Sequence, residues 1–197
     1  MKLKFLTILF SLIFLCSFTN TYQTTYEPLN DISFNYKNEA NVLVCHQDQI
    51  WKMNYAVYNQ TDEFASLIST NIIPLSHQVF QFADLHKIPL NECIAKDHLE
   101  IFQISQQTLN DHTRFDGWQP QNDDASIIWG LYDPRLGQKI FASIMISDHG
   151  PKENPLIFAH ELSHYWYDRF CWNQYWNNSD EQFALDFEKF YLEMEKP

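Results

Sequence analysis

Two histidines four residues apart, with a glutamate directly after the first, form the group His160-Glu161-Leu162-Ser163-His164. Residues at that spacing on a helix lie one turn above each other, so both imidazoles can reach one ion from the same face. Glu161 is turned partly around the helix from them, in reach of a water on that ion without having to bind it. Zinc held by two imidazoles and a carboxylate keeps a position open, and water there acquires a pKa of about 7. Glu161 can then take the proton as the water attacks a carbonyl, and hand it to the leaving amine. Two histidines on an ordinary helix would need none of this. The surroundings favour the chemical reading, because the residues inside the group are helix-compatible and include neither Pro nor Gly.

Two imidazoles do not complete a protein zinc site. Asp180, Glu181 and Glu188 follow on a second helical stretch, and acids near a helix N-terminus are also favoured without any metal. Here the chain resembles the gluzincin group of zinc metallopeptidases, in which a glutamate on a second helix completes the pair of histidines, commonly in a setting like E-x-x-A-x-x-F. Glu181, Ala184 and Phe187 match that setting, 17 residues after His164 in the case of Glu181. The resemblance implies Glu181 as third ligand, with Asp180 and Glu188 as the alternatives. It covers element order from Leu99 to Glu193 and few identical residues, so it points to a clan and not to a subfamily. It also implies that the strand before the motif helix, Gln138 to Ile146, forms the cleft rim and pairs with an extended substrate. The metzincin arrangement, a third His soon after the motif with a Gly between, is absent from residues 165–178.

Around the motif, Tyr165, Trp166, Tyr167, Phe170, Trp172, Tyr175 and Trp176 make a dense aromatic group. Most should pack the helix against a sheet, Trp166 and Phe170 foremost. An oxyanion donor is expected from among Tyr132, His149, Arg169, Tyr175 and Tyr191. Asp168, four residues beyond His164, is placed to support a ligand histidine.

The elements that must position these groups follow from periodicity. A capping signal at Thr61-Asp62-Glu63 opens a helical pattern through Phe64, Ile68, Ile72, Leu75, Val79 and Phe82 to Leu85, which Pro74 kinks or splits. Leu99 to Ser105 alternates as a strand does. Residues 125–132 and 138–146 flank Asp133-Pro134-Arg135-Leu136-Gly137 and read as a β-hairpin. Asn154-Pro155 starts the motif helix, which runs to Phe170, and Asn178 or Ser179 caps a last helix from Asp180 to about Glu193. Val42 to Cys45 and Trp51 to Tyr58 are strand-like pieces in an otherwise polar stretch. The expected fold is therefore α+β, a single zincin-like domain with a backing helix, a small mixed sheet, the motif helix and a C-terminal helix carrying the third ligand. Its expected organisation is a signal peptide over residues 1–21, an N-terminal segment without assigned structure over 22–60, and the domain over 61–197.

Composition sets the outer limits. A chain of 197 residues with 45% hydrophobic and 16% aromatic residues can bury a real core. A formal charge of -12 leaves no basic footprint for nucleic acid. Lys2 and Lys4 precede an apolar run that ends at Phe18, the n-region and h-region of an export signal and short for a membrane span. The protein is expected to be secreted or periplasmic, with no stable membrane insertion once the signal is removed. If Cys16 leaves with it, Cys45, Cys93 and Cys171 remain, and export permits one disulfide among them whose pairing the sequence does not disclose. These readings converge on an exported zinc-dependent metallopeptidase acting on peptide or protein in extended conformation. The rivals are a zinc-dependent hydrolase of a non-peptide amide and a catalytically silent zinc-binding scaffold, and an intact Glu161 argues against the second.

Overall fold

The computed structural model describes residues 36–59, 62–93, 98–115, 130–134, 141–148 and 155–196. The signal peptide expected over residues 1–21 lies outside them, as do His149 and residues 125–129. The chain divides into a unit of residues 1–31 and a unit of residues 32–197, and every element below belongs to the second. Along it run β1 (Tyr36–His46), β2 (Gln49–Asn59), α1 (Asp62–Leu85), β3 (His98–Ile104), α2 (Gln106–Phe115), β4 (Gly130–Asp133), β5 (Phe141–Ser147), α3 (Leu156–Arg169), a 3-10 turn (Trp172–Gln174) and α4 (Asp180–Met194). The class is α+β, and the described strands form a five-stranded mixed sheet in the order β1-β2-β3-β5-β4.

Residues 36–59, which contain the strand-like pieces Val42 to Cys45 and Trp51 to Tyr58, build the first hairpin. Gln47 adopts a left-handed φ of 53° in its turn, and the register runs from His46 opposite Gln49 to Tyr36 opposite Asn59. Val44, Trp51, Met53, Tyr55 and Val57 are buried while Leu43 and Ile50 are exposed, so alternation lays one face of the hairpin on the core. The folded unit thus reaches N-terminal of residue 61. β3 then joins β2 in parallel and β5 joins β3 in parallel, whereas β4 closes the sheet antiparallel to β5.

That order corrects one expectation. The strand expected to form the cleft rim, Gln138 to Ile146, contains β5, and β5 is held between β3 and β4. Substrate has no free edge there; the outer strand is β4. All of Ala142, Ser143, Ile144, Met145, Ile146 and Ser147 are buried, and a strand covered on both faces is an interior one.

α1 is the expected backing helix and passes through Pro74 as one element. Ile68, Ile72, Leu75 and Val79 are buried on both sides of the proline, and that packing outweighs the lost backbone hydrogen bond. Side chains supply further bonds nearby: Asn71 Nδ2 donates to the Leu67 carbonyl at 2.7 Å and Ser76 Oγ to the Ile72 carbonyl at 2.7 Å. Ser76 also accepts from Trp166 Nε1 at 2.9 Å, tying α1 to α3. Trp166 and Phe170 are buried core residues. α2 was not anticipated, because Leu109 is the one large apolar side chain that its described face buries and a polar helix leaves no 3.6-residue apolar period.

The far end of α3 is pinned covalently. Cys93 and Cys171 form the disulfide, with Cα atoms 5.9 Å apart, and Cys45 is free and exposed. Beside it the Cys93 amide donates to the Arg169 carbonyl at 3.1 Å. Among the described residues no helix is long and apolar enough to cross a membrane.

Candidate metal centre

The geometry of the centre follows from how two helices bury their apolar sides. α3 turns Phe158, Leu162, Tyr165 and Trp166 into the core. The stripe Ile157, Glu161, His164 and Asp168 lies one helical turn apart step by step and runs along β4. α4 begins at Ser179, whose Oγ accepts from the Gln182 amide at 3.2 Å. It buries Phe183, Ala184, Phe187 and Tyr191. Phe183 packs on Phe82, Tyr167, Trp172 and Trp176, with ring centroids 5.1 to 5.4 Å apart. These contacts fix the rotation of α4 about its axis, and that rotation brings Glu181 and Glu188 to α3.

Three atoms converge as a result. His160 Nε2 and His164 Nε2 are 3.1 Å apart, and Glu181 Oε2 lies 3.6 Å from the first and 3.4 Å from the second. Ligands bound to one tetrahedral zinc at about 2.0–2.1 Å stand about 3.3–3.4 Å from one another. The triangle has the size that a single ion requires. Two ring nitrogens turned toward each other need a proton or a cation between them, since paired lone pairs repel. Glu161 also lies close enough that its carboxylate and the two imidazoles could hold a metal, all ligand atoms being within 4.8 Å. Glu161 and Glu181 therefore compete for the third position on proximity alone. The direct approach of Glu181 Oε2 to both ring nitrogens favours Glu181, and its side chain is 61% exposed, which leaves the centre open to solvent and substrate.

The outer atoms of the imidazoles differ. His160 Nδ1 is 2.8 Å from Glu188 Oε1, so Glu188 orients His160 in the manner usual for carboxylates behind ligand histidines. Glu188 stands behind the triangle and not in it. His164 Nδ1 is buried without a hydrogen bond, and Asp180 Oδ2 stands 3.8 Å away. Asp180 Oδ1 instead accepts from the Glu181 amide at 2.9 Å.

Electrostatics separate the acids. Burial alone would lower His160, but the carboxylates of Glu181, Glu188 and Glu161 more than offset it and hold the imidazole up at about 10. The two imidazoles hold Glu181 well below the usual carboxylate range. Burial pushes Glu161 up, opposed by His164, His160 and the Tyr132 backbone amide. One acid is thus kept ionised beside the imidazoles, and the other is a better proton acceptor than a free carboxylate.

Two positions on β4 matter here that the motif did not reveal. A Cβ on Gly130 would stand 2.6 Å from Glu161 Oε1 and 2.8 Å from Ile157 Cγ2, so only glycine lets the strand approach the acid so closely. Tyr132, two residues on and on the same strand face, brings its backbone amide near enough to Glu161 to help keep that carboxylate ionised. Its ring lies parallel to that of His164 at 6.1 Å, and its hydroxyl donates to Asp168 Oδ2 at 2.9 Å. A Gly-x-Tyr pair opposite the motif helix was the available signal.

The other expectations resolve as follows. Asp168 meets Tyr132 where a ligand histidine was expected. Arg169 is bound to Glu92, to the Tyr165 hydroxyl and to the Lys52 carbonyl, away from any substrate. Tyr191 is buried in the core and Tyr175 is exposed beyond the 3-10 turn. Comparison of the chain with protein-family models, with curated proteins and with solved structures finds no match.

Proposed function

We propose that the protein is a zinc-dependent peptidase of gluzincin-like design that acts after export. The observation that carries this reading is the triangle of His160, His164 and Glu181 with a separately held, buried Glu161 beside it. Two imidazoles and a carboxylate are a donor set suited to zinc. Bound there, zinc would supply Lewis acidity and a water of lowered pKa. The chain's own groups supply the rest. Glu161 accepts a proton at its carboxylate, aided by the burial that raises its affinity for it, and delivers that proton to the departing amine. Glu188 keeps His160 in one ring orientation through Nδ1. β4 has a strand partner on one side only among the described residues, so an extended substrate segment can add to its other edge. The Cys93–Cys171 disulfide suits an oxidising compartment, in keeping with the apolar N-terminus behind Lys2 and Lys4.

The test is metal analysis of the purified protein together with turnover of a quenched peptide library. The expected result is about one equivalent of zinc and measurable cleavage, with Glu161→Gln retaining the zinc and losing about 10²- to 10⁴-fold in rate. Full zinc with no cleavage of any peptide by the wild type overturns the reading.

A further inference from the structure

Glu161 is the group that any hydrolytic reading depends on, and besides the imidazoles of His160 and His164 on α3 its carboxylate is bounded by β4. Gly130 sits against Glu161 Oε1, and the Tyr132 backbone amide helps to keep the same carboxylate ionised. Among the described residues β4 runs over Gly130–Asp133 and pairs with β5 at those positions, with no strand on its other side. A strand paired on one side frays more readily than one held on both. What ties it to α3 is the Tyr132 side chain, which reaches past His164 to give a 2.9 Å hydrogen bond to Asp168 Oδ2, one helical turn further along the same stripe.

We infer that the Tyr132–Asp168 hydrogen bond is a latch that holds β4 on the motif helix, and that Tyr132 is thereby the positioning residue for Glu161. The hydroxyl holds the strand, the strand holds the amide and Gly130, and these hold the carboxylate. In this role the Tyr132 side chain acts through the strand and Glu161, and not on the reacting atoms or the proposed ion. A carboxylate displaced by about 1 Å from its working position is enough to cost about 100-fold in rate. The kinetic half of the inference rests on the peptidase reading; the structural half does not.

Two measurements on the full chain test it. In hydrogen exchange, Tyr132→Phe and Asp168→Ala should each raise exchange of the β4 amides about 5-fold, the value of a side-chain hydrogen bond of about 1 kcal/mol. The α1 amides should stay unchanged, and the double variant should exchange no faster than either single one. In kinetics, Tyr132→Phe should lower kcat about 10- to 100-fold with zinc content unchanged. Asp168→Asn, which retains an acceptor oxygen, should recover most of what Asp168→Ala loses. If β4 exchange is unchanged in both single variants, or if it rises while kcat of Tyr132→Phe stays at the wild-type value, the latch is overturned. Additive effects in the double variant overturn it too, since they mean that the two residues act separately. Should Tyr132→Phe fail to fold, the Asp168→Ala and Asp168→Asn pair decides by the same readings. A wild type that cleaves no peptide removes the peptidase reading alone, and β4 exchange still decides the latch.

Discussion

α3 carries two polar clusters that answer the same problem in opposite ways. At its C-terminal end, buried Arg169 meets Glu92 at 2.7 Å, the Tyr165 hydroxyl at 2.9 Å and the Lys52 carbonyl at 3.0 Å. Every contact there joins a donor to an acceptor, and the charge of the guanidinium is matched. In the middle of the helix, two imidazole nitrogens face each other at 3.1 Å with one carboxylate against both. His164 Nδ1 has no hydrogen bond. The first cluster is complete as it stands and serves the fold. The second gathers imidazole and carboxylate atoms around one point, a group that could hold a metal ion.

The comparison is broken most sharply by removing its central acids. Glu181→Ala should lose both zinc and activity, whereas Glu161→Gln should lose about 10²- to 10⁴-fold in rate and keep the metal. Zinc content and peptide turnover measured together separate the two. Zinc lost from Glu161→Gln and kept in Glu181→Ala would exchange their roles.

At the other cluster the effect should fall on stability alone. Arg169→Met removes hydrogen bonds to three partners and should cost about 2–3 kcal/mol, read by denaturant unfolding, with zinc stoichiometry of the folded protein unchanged. Replacing Cys93 and Cys171 with Ser, which releases the same end of α3, should cost about 2–4 kcal/mol. Loss of metal in Arg169→Met below its unfolding transition would contradict the division between the clusters.

Glu188 lies between these extremes, as it bonds a ligand candidate without entering the triangle. Glu188→Ala should weaken zinc affinity about 10- to 100-fold, measured by competition with a chelator of known affinity. An unchanged affinity would make Glu188 an ordinary surface acid.

The metal affinity should also depend on pH. His160, held at about 10 by the acids around it, carries a proton at neutral pH in the metal-free protein, and zinc requires the ring neutral. Apparent zinc affinity should therefore rise with pH by up to about tenfold per unit until His160 has titrated, and level off above that. Calorimetry in two buffers of different ionisation enthalpy should show about one proton released per zinc near pH 7.5. No release would mean that the imidazoles are already neutral there.

Much of this was legible along the chain because it depends on short-range geometry. The four-residue spacing of His160 and His164 places both rings on one helix face whatever surrounds the helix. Ser179 before two acids marks the start of α4, and the period of Ile68, Ile72, Leu75 and Val79 marks the buried face of α1. Strand order was a different matter. The hairpin of β4 and β5 can be read locally, but which strand lies inside depends on β3, almost forty residues earlier, so the substrate edge was assigned to the wrong strand. Cys93 paired with Cys171, and not Cys45, because α3 ends beside the segment that follows α1. Glu188 meets His160, since the packing of Phe183 and Phe187 sets the rotation of α4. Gly130 and Tyr132 acquire their roles only when β4 is laid against Glu161. Residue spacing determines what one helix or strand presents; which groups from separate elements meet is decided by the packing of buried side chains, and that sums over contacts far apart in sequence.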